Sequence, residues 1–599
     1  MDTGRIFDEF PAPDYRGNQE SALQAIADAF DDGNDVVLVR APTGSGKSLL
    51  ARAIAGCART AGEAEAAQRI DAYYTTPQVS QLDDVASDPL LEDLSIIRGK
   101  SNYDCILPGE TDTPVDQAPC ARERAFDCQV KHRCPYFSDR SIASNRRIAA
   151  MTLAYFMQTA GSEIFGPRDV VVIDEAHGLG EWAEMYATIE LGPDTVPLWD
   201  DTRPPTVENL GDALGYAERV LASCDRRLEE LRNMEDLSRA EVAERDQCTT
   251  LARDLGWFVE DARDPDTATG WVVDQPDGER TPVTIKPMAP ERYLAHTVWD
   301  RGNRFALLSA TILSKEGFCA SVGLSPERVG MVELGHTFPV ENRPLYDVAQ
   351  GKMTYEDRDE TLPKIARTIV RIMQAHSDEK GLVHCHSYAI QEKLDGLLTD
   401  FGVAERIRTH DTADRDGQLT AWKQADDASV FLSVKMEEAL DLEGDLARWQ
   451  VLCKAPYPNT RDSRVARRLE DDQWGWYYRS ALRTVIQACG RVVRAPDDYG
   501  ATYLADSSLL DLFERARHEM PGWFEAQVDR MSEPDLPEFA PRAALDGAGG
   551  RGGGHSGSPT TSSGSSGAGT HSGGSGSRSR TSSRSSSRRS PMADVWDTE

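Results

Sequence analysis

The string APTGSGKS occupies 41–48. Small residues here let main-chain N–H groups close on an anion, Lys47 adds a charge that reaches β- and γ-phosphates, and Ser48 offers a hydroxyl to Mg2+. Thr43, Gly44, Ser45 and Gly46 complete the loop, with Ala41 standing where the usual pattern has its first glycine. At 174–177 the chain reads DEAH. Asp174 suits the shell of a Mg2+ ion, Glu175 the orientation and deprotonation of an attacking water, and His177 a link to the SAT segment at 309–311. QACGRVVR (487–494) spaces Arg491 and Arg494 three apart, which on a helix is one face. Two arginines so placed stabilise charge developing on a γ-phosphate. Gln487 and Gly490 accompany them.

A second group of residues points to a metal. Cys105, Cys120, Cys128 and Cys134 lie within thirty residues of a chain that has only 11 cysteines. In a reducing cytosol such a cluster binds metal more often than it forms disulfides. Zinc modules pair their cysteines two to four residues apart, and none of these gaps is that short; a [4Fe–4S] cluster needs four thiolates and tolerates irregular spacing. Spacing alone leaves both open. An insert of about 40 residues is too small to fold by burial, so a metal centre would supply its stability.

These residues need elements to hold them. Residues 18–32 show helical spacing, DVVLVR (35–40) is a buried-strand pattern, and LLARAIAGCART after the glycine-rich loop is helical. Further strand patterns fall at 71–77, 170–179, 305–312, 381–387, 428–434, 449–456 and 501–506, separated by helical stretches. The pattern predicts an α/β fold in two units, roughly 1–343 and 344–535. Two gaps are wide: 127 residues from Lys47 to Asp174, holding the cysteines, and 132 from His177 to Ser309, whose middle at 207–264 reads as an inserted helical subdomain. From about 541 the chain is Gly, Ser, Thr and Arg, a composition that cannot bury a core and is expected to be disordered. Its arginines (578, 580, 584, 588, 589) could contact nucleic acid, and its end, PMADVWDTE, could dock a protein partner.

The formal charge is −33, and only 12 of 66 basic residues are lysine. Acidity of this kind fits a high-salt cytoplasm such as that of a halophilic archaeon, where charges are screened within a few ångströms. Net charge then does not exclude a DNA partner with a locally basic groove. No apolar run approaches the roughly 20 residues of a membrane span, and the start lacks a signal-peptide pattern, so the expectation is a cytoplasmic protein without a membrane partner.

The set 41–48, DEAH, SAT and QxxGRxxR resembles a superfamily 2 helicase, and RGKSNYDC (98–105), CPYF (134–137) and APYP (455–458) narrow this to the XPD/DinG family of iron–sulfur DNA helicases. The resemblance covers about 5–530. It implies two RecA-like motor domains, a [4Fe–4S] domain and a helical arch domain, both inserted in the first motor domain. The corresponding boundaries are 1–97, 141–190 and 301–343 for the first motor domain, 98–140 for the cluster domain, 191–300 for the arch-like insert, 344–535 for the second motor domain and 541–599 for the tail. It also implies Tyr15, Arg16 and Gln19 as an adenine-sensing segment, Thr75–Pro77 as a DNA-backbone segment and the four cysteines as cluster ligands. ATP, with Lys47, Ser48, Asp174, His177 and Asp441 around it, Mg2+, 5′-to-3′ movement on single-stranded or forked DNA in repair or replication, and a monomeric motor follow from it as expectations. KMEEALDLEGD (435–445) matches the family's fifth motif with Glu438 and Asp441 retained, but Glu437 replaces a serine and Ala439 a glycine. Arg98, Lys100, Arg122, Arg124, Lys131 and Arg133 give the cysteine insert positive charge, and Tyr103, Phe126, Tyr136 and Phe137 are its aromatics, placed either to stack on bases or to pack the insert.

Overall fold

A computed structural model describes residues 1–545 except 64, 66–67, 124–125, 235, 265–269, 276–279, 412–413, 435–445 and 494. Arg124, Glu437, Glu438, Ala439, Asp441, Arg494 and the Gly/Ser/Arg-rich tail therefore lie outside the described residues.

Along the chain, β1 (Val36–Arg40), β2 (Ala72–Thr76), β3 (Ser95–Ile96), β4 (Ile148–Thr152) and β5 (Arg168–Ile173) are followed by three strands of a separate sheet. These are β6 (Ile189–Leu191), β7 (Trp271–Asp274) and β8 (Val283–Pro287), in the antiparallel order β6-β8-β7. The chain then returns through β9 (Gly302–Ser309) and β10 (Val329–Glu333) to complete a seven-stranded parallel sheet, β10-β1-β9-β5-β2-β4-β3. A second parallel sheet joins β11 (Leu345–Asp347), β12 (Gly381–His384), β13 (Ile407–Arg408), β14 (Val430–Ser433), β15 (Trp449–Leu452) and β16 (Ala501–Leu504) in the order β11-β16-β15-β12-β14-β13. This is the mixed α/β architecture with two parallel sheets expected of two RecA-like motors. Strands β1, β2, β4 and β5 are buried at every position, as continuous apolar strands covered on both faces must be.

The helices that bear on function are α1 (Gln19–Asp31), α2 (Lys47–Gly56), α3 (Pro135–Asn145), α4 (Leu179–Tyr186), α5 (Leu210–Arg232), α6 (Arg239–Arg263), α7 (Ser463–Glu470) and α8 (Trp474–Cys489). The pair α5 and α6 realises the helical pattern at 207–264, and Ser238 starts α6 with a reciprocal capping box to Glu241. The second insert is not purely helical, because β6, β8 and β7 close a shared apolar core against α5 and α6. A further correction concerns Arg491: α8 ends at Cys489, so Arg491 sits in the turn that follows and not on a helix face.

The sheet order explains why four distant motifs meet. Strands β1, β9, β5 and β2 are consecutive in space, and their C-terminal ends carry the loop 41–48, Ser309–Thr311, Asp174–His177 and Thr75–Pro77 respectively.

The second unit is pinned from within by Arg406, 1% exposed, which donates to the carbonyls of Ala428 (2.6 Å), Ala544 (2.7 Å), Met373 (3.0 Å), His376 (3.1 Å) and Glu379 (3.1 Å). Burial lowers its pKa to about 10. Arg406→Met should cost about 3–5 kcal/mol by stranding these acceptors, read as a lower denaturant midpoint for the second unit at unchanged slope.

Candidate functional site

Gly44 and Gly46 both take left-handed backbone (φ 77° and 76°), which turns the loop from β1 into α2. A side chain at Gly46 would meet Gln19, whose buried amide donates to the Ser45 carbonyl (3.1 Å) and accepts from the Arg16 N–H (2.8 Å). Thr43, Gly44, Gly46, Lys47 and Ser48 line a cleft of about 2100 Å³ between the two units. Ser45 and Tyr15 do not line it. The Ser45 hydroxyl donates to the Pro42 carbonyl at 2.7 Å, and Tyr15 packs on Phe10 with ring centroids 4.8 Å apart.

Across the loop, Lys47 Nζ stands 3.0 Å from Glu175 Oε1. Glu175 holds a left-handed backbone (φ 49°), a strained position for a side-chain residue and one found at functional sites. Burial acts to raise its carboxyl, but the Lys47 charge and the His177 hydrogen bond hold it well below the ordinary range. Asp174 goes the other way: burial, with the Glu175 charge added, lifts it to about 7 against the pull of Lys47. The two adjacent carboxylates are thus driven apart in basicity.

His177 bridges the units. Gln487 of α8 donates its amide to His177 Nε2 (2.6 Å), which leaves the ring proton on Nδ1, 2.8 Å from Ser309 Oγ. Ser309 Oγ in turn donates to Glu175 Oε2 (3.4 Å), and Gln487 also reaches Thr311 Oγ1 (3.3 Å). Beside this path, Arg483 of α8 pairs with Glu181 of α4 at 2.7 Å and donates to the His177 carbonyl. Gly490 lies so close that an added Cβ would stand 3.2 Å from Thr43 Oγ1. Arg491 is buried and lines the same cleft.

Away from these residues the cleft runs between Thr76–Gln78 of the first unit and a cationic, aromatic wall of the second that the sequence reading missed. Tyr355 is 72% exposed, with the guanidinium groups of Arg358 and Arg461 at 4.7 and 5.5 Å from its ring. Lys454, two residues past β15, is half-buried, and burial lowers its pKa. Tyr457 and Tyr477 stack at 5.1 Å. A lysine directly before APYP was the available signal.

In the cysteine insert, Cys105 and Cys134 are buried while Cys120 and Cys128 are partly exposed. Burial pushes the Cys120 thiol up, and the other three cysteines of the insert add to that shift. Among the described residues, no three His, Cys, Asp or Glu side chains are grouped closely enough to hold a metal ion. Tyr103 and Tyr136 are buried in the first unit's core, with Phe137 packed against it, which answers the question of stacking or packing for these rings. Much of the insert's positive charge is spent internally: Arg98 pairs with Asp83, Arg122 with Glu110 (2.6 Å), and Lys131 lies over Phe137 at 4.7 Å. Buried Lys100 approaches the Tyr136 ring at 5.7 Å. The other seven cysteines (57, 224, 248, 319, 385, 453 and 489) are all buried. No helix among the described residues is long and apolar enough to cross a membrane.

Comparison with known proteins adds two family matches: the DEAD_2 model at 123–196 and the helicase C-terminal domain model at 369–527. Bovine regulator of telomere elongation helicase 1 is 32% identical over 159 residues, covering 21% of this chain and 13% of that protein. The XPD helicase subunit of the general transcription and DNA repair factor IIH from Dictyostelium discoideum is 29% identical over 158 residues, covering 23% and 20%. The chain thus matches only an eighth to a fifth of the length of these relatives. Among solved structures, Xpd4 of S. tokodaii aligns over 87% of this chain and all of its own with a TM-score of 0.51 at 15% identity. An XPD helicase structure aligns over 85% and 98% with a TM-score of 0.54 at 16% identity, likenesses that speak to the fold. Both family matches and the relatives are helicases, and the fold agrees with that of the XPD structures, so the chain is similar to the XPD/DinG-like superfamily 2 helicases.

Proposed function

We propose that this chain is an ATP- and Mg2+-dependent DNA helicase that moves 5′ to 3′ on single-stranded DNA and parts duplex at forks. The observation that carries the reading is the hydrogen-bonded path Gln487–His177–Ser309–Glu175, which ties the second unit to the carboxylate opposite Lys47. Lys47 binds the terminal phosphates, and the loop N–H groups at the start of α2 cradle them. Ser48 and Asp174 would hold Mg2+, which offsets phosphate charge. Glu175 orients and deprotonates water, while Arg491, with Arg494, stabilises the charge that develops as the γ-phosphate leaves. The wall of Tyr355, Arg358, Lys454 and Arg461, opposite Thr76–Gln78, supplies the mix of cations and aromatic faces that grips a single strand irrespective of sequence.

For the insert we propose a [4Fe–4S] cluster on Cys105, Cys120, Cys128 and Cys134. The insert carries the four thiols that such a cluster needs, two of them buried, and the cluster would staple a segment built from short turns. Iron analysis and a broad absorbance near about 400 nm in anaerobically purified protein test it. Cys105→Ser should then abolish unwinding while sparing more of the ATP hydrolysis; equal loss of both would mean the insert only supports the fold.

Two substitutions test the motor. Glu175→Gln should leave ATP binding within a few-fold but reduce hydrolysis about 10²–10⁴-fold, measured by single-turnover phosphate release. Lys454→Ala should weaken binding of an oligo(dT) by fluorescence anisotropy and reduce the slope of log affinity against log salt by about 1, with ATP hydrolysis in the absence of DNA unchanged.

A further inference from the structure

Helix α7 of the second unit touches three separate parts of the molecule within its first two turns. Its Arg468 forms a buried ion pair with Glu184 of α4, both 7% exposed, and Arg464 stands 3.5 Å from the same carboxylate. Arg468 also donates to the carbonyl of Met288, just past β8 (3.0 Å). At the helix start, Lys286 of β8 bridges Asp462 and Asp274, each at 2.7 Å, and Ser463 donates to Asp274 of β7 (2.7 Å). The arch-like insert is therefore fastened to the second unit as well as to the first, in which it is inserted. Through α6 it also reaches the cysteine insert: Arg239 pairs with Glu110 (2.8 Å), Leu237 N–H donates to the Arg122 carbonyl and Arg245 to that of Ala121.

Glu184 and Glu181 lie on one short helix that begins two residues after His177, and both reach arginines of the second unit. A buried ion pair parts only at the expense of leaving a charge uncompensated, so it moves as a unit. We propose that α7 is a latch that makes the arch-like insert follow the second unit when the nucleotide cleft closes, with Glu184, Lys286 and Asp462 as its positioning residues. The latch rests on the helicase reading and deepens it: it carries motion from α4, next to the DEAH segment, through α7 and β7–β8 to the insert that borders the cysteine segment.

The half-buried contact, Lys286 with Asp462, is the safe place to cut. In a Lys286→Ala/Asp462→Asn variant the latch predicts ATP hydrolysis stimulated by single strands within about 2-fold of wild type and base pairs opened per ATP reduced about 5-fold or more. A second readout is independent of unwinding. Hydrogen–deuterium exchange of full-length protein with a non-hydrolysable ATP analogue should change protection of peptides over 271–274 and 283–287 in wild type and not in the variant, at equal nucleotide affinity. Lys286→Arg, which keeps a cation facing both Asp462 and Asp274, should retain the response. No change at these strands in wild type that binds the analogue, or the same change in the variant, overturns the latch. Wild-type protein that binds no nucleotide overturns the helicase reading itself, and the latch with it.

Discussion

The ion pair between Lys47 and Glu175 sets the terms for everything around it. It couples the phosphate loop to a carboxylate whose backbone is held in a strained conformation, and it keeps that carboxylate ionised while its neighbour Asp174 is raised to about 7 by burial and by the Glu175 charge. On the proposed reading, a phosphate at Lys47 would compete for the same ammonium group, weaken the pull on Glu175 and return it toward the basicity a proton acceptor needs. Glu175 is also the end of the path from Gln487, through which such a change would reach the second unit. Chemistry and domain contact share one side chain.

A chain of net charge −33 nonetheless lines its central cleft with Arg358, Lys454, Arg461, Arg483 and Arg491. Local charge rather than total charge decides what a groove attracts. The cysteine insert teaches the converse. Its six cationic residues look like a nucleic-acid surface in the sequence, but Arg98 and Arg122 answer acidic neighbours, and Lys100 and Lys131 sit over aromatic rings. Arg98 ties the segment to the first unit through Asp83, and Arg122 is matched to Glu110 within the segment, so neither is spare charge for a phosphate backbone.

The parallel strands were legible because strands buried on both faces are continuous apolar runs: VVLVR, AYYTT and VVVI stand out without any alternation. So was the helical character of the arch-like insert at 207–264, which α5 and α6 fill. What escaped was short or depended on partners. IAAMT at β4 reads as a helix as readily as a strand, and the three strands of the antiparallel sheet are each three to five residues long and framed by charge. Arg491 looked helical by its spacing, but Gly490 ends α8 and brings the backbone against Thr43. The motif residues announced themselves by type and order; the wall of Tyr355, Arg358 and Arg461 did not, because its members come from two distant segments and meet only in the fold.

On the proposed reading, closure of the cleft on ATP is converted into directional movement along one strand. It is tested most directly by strand displacement from two forked DNA substrates that differ only in which single-stranded arm is long enough to load the protein, with an RNA duplex alongside. The mechanism requires ATP-dependent opening of the substrate with the 5′ loading arm and little from the other two. Protein that hydrolyses ATP on single strands yet opens none of them, or opens only the substrate with the 3′ arm, would contradict it.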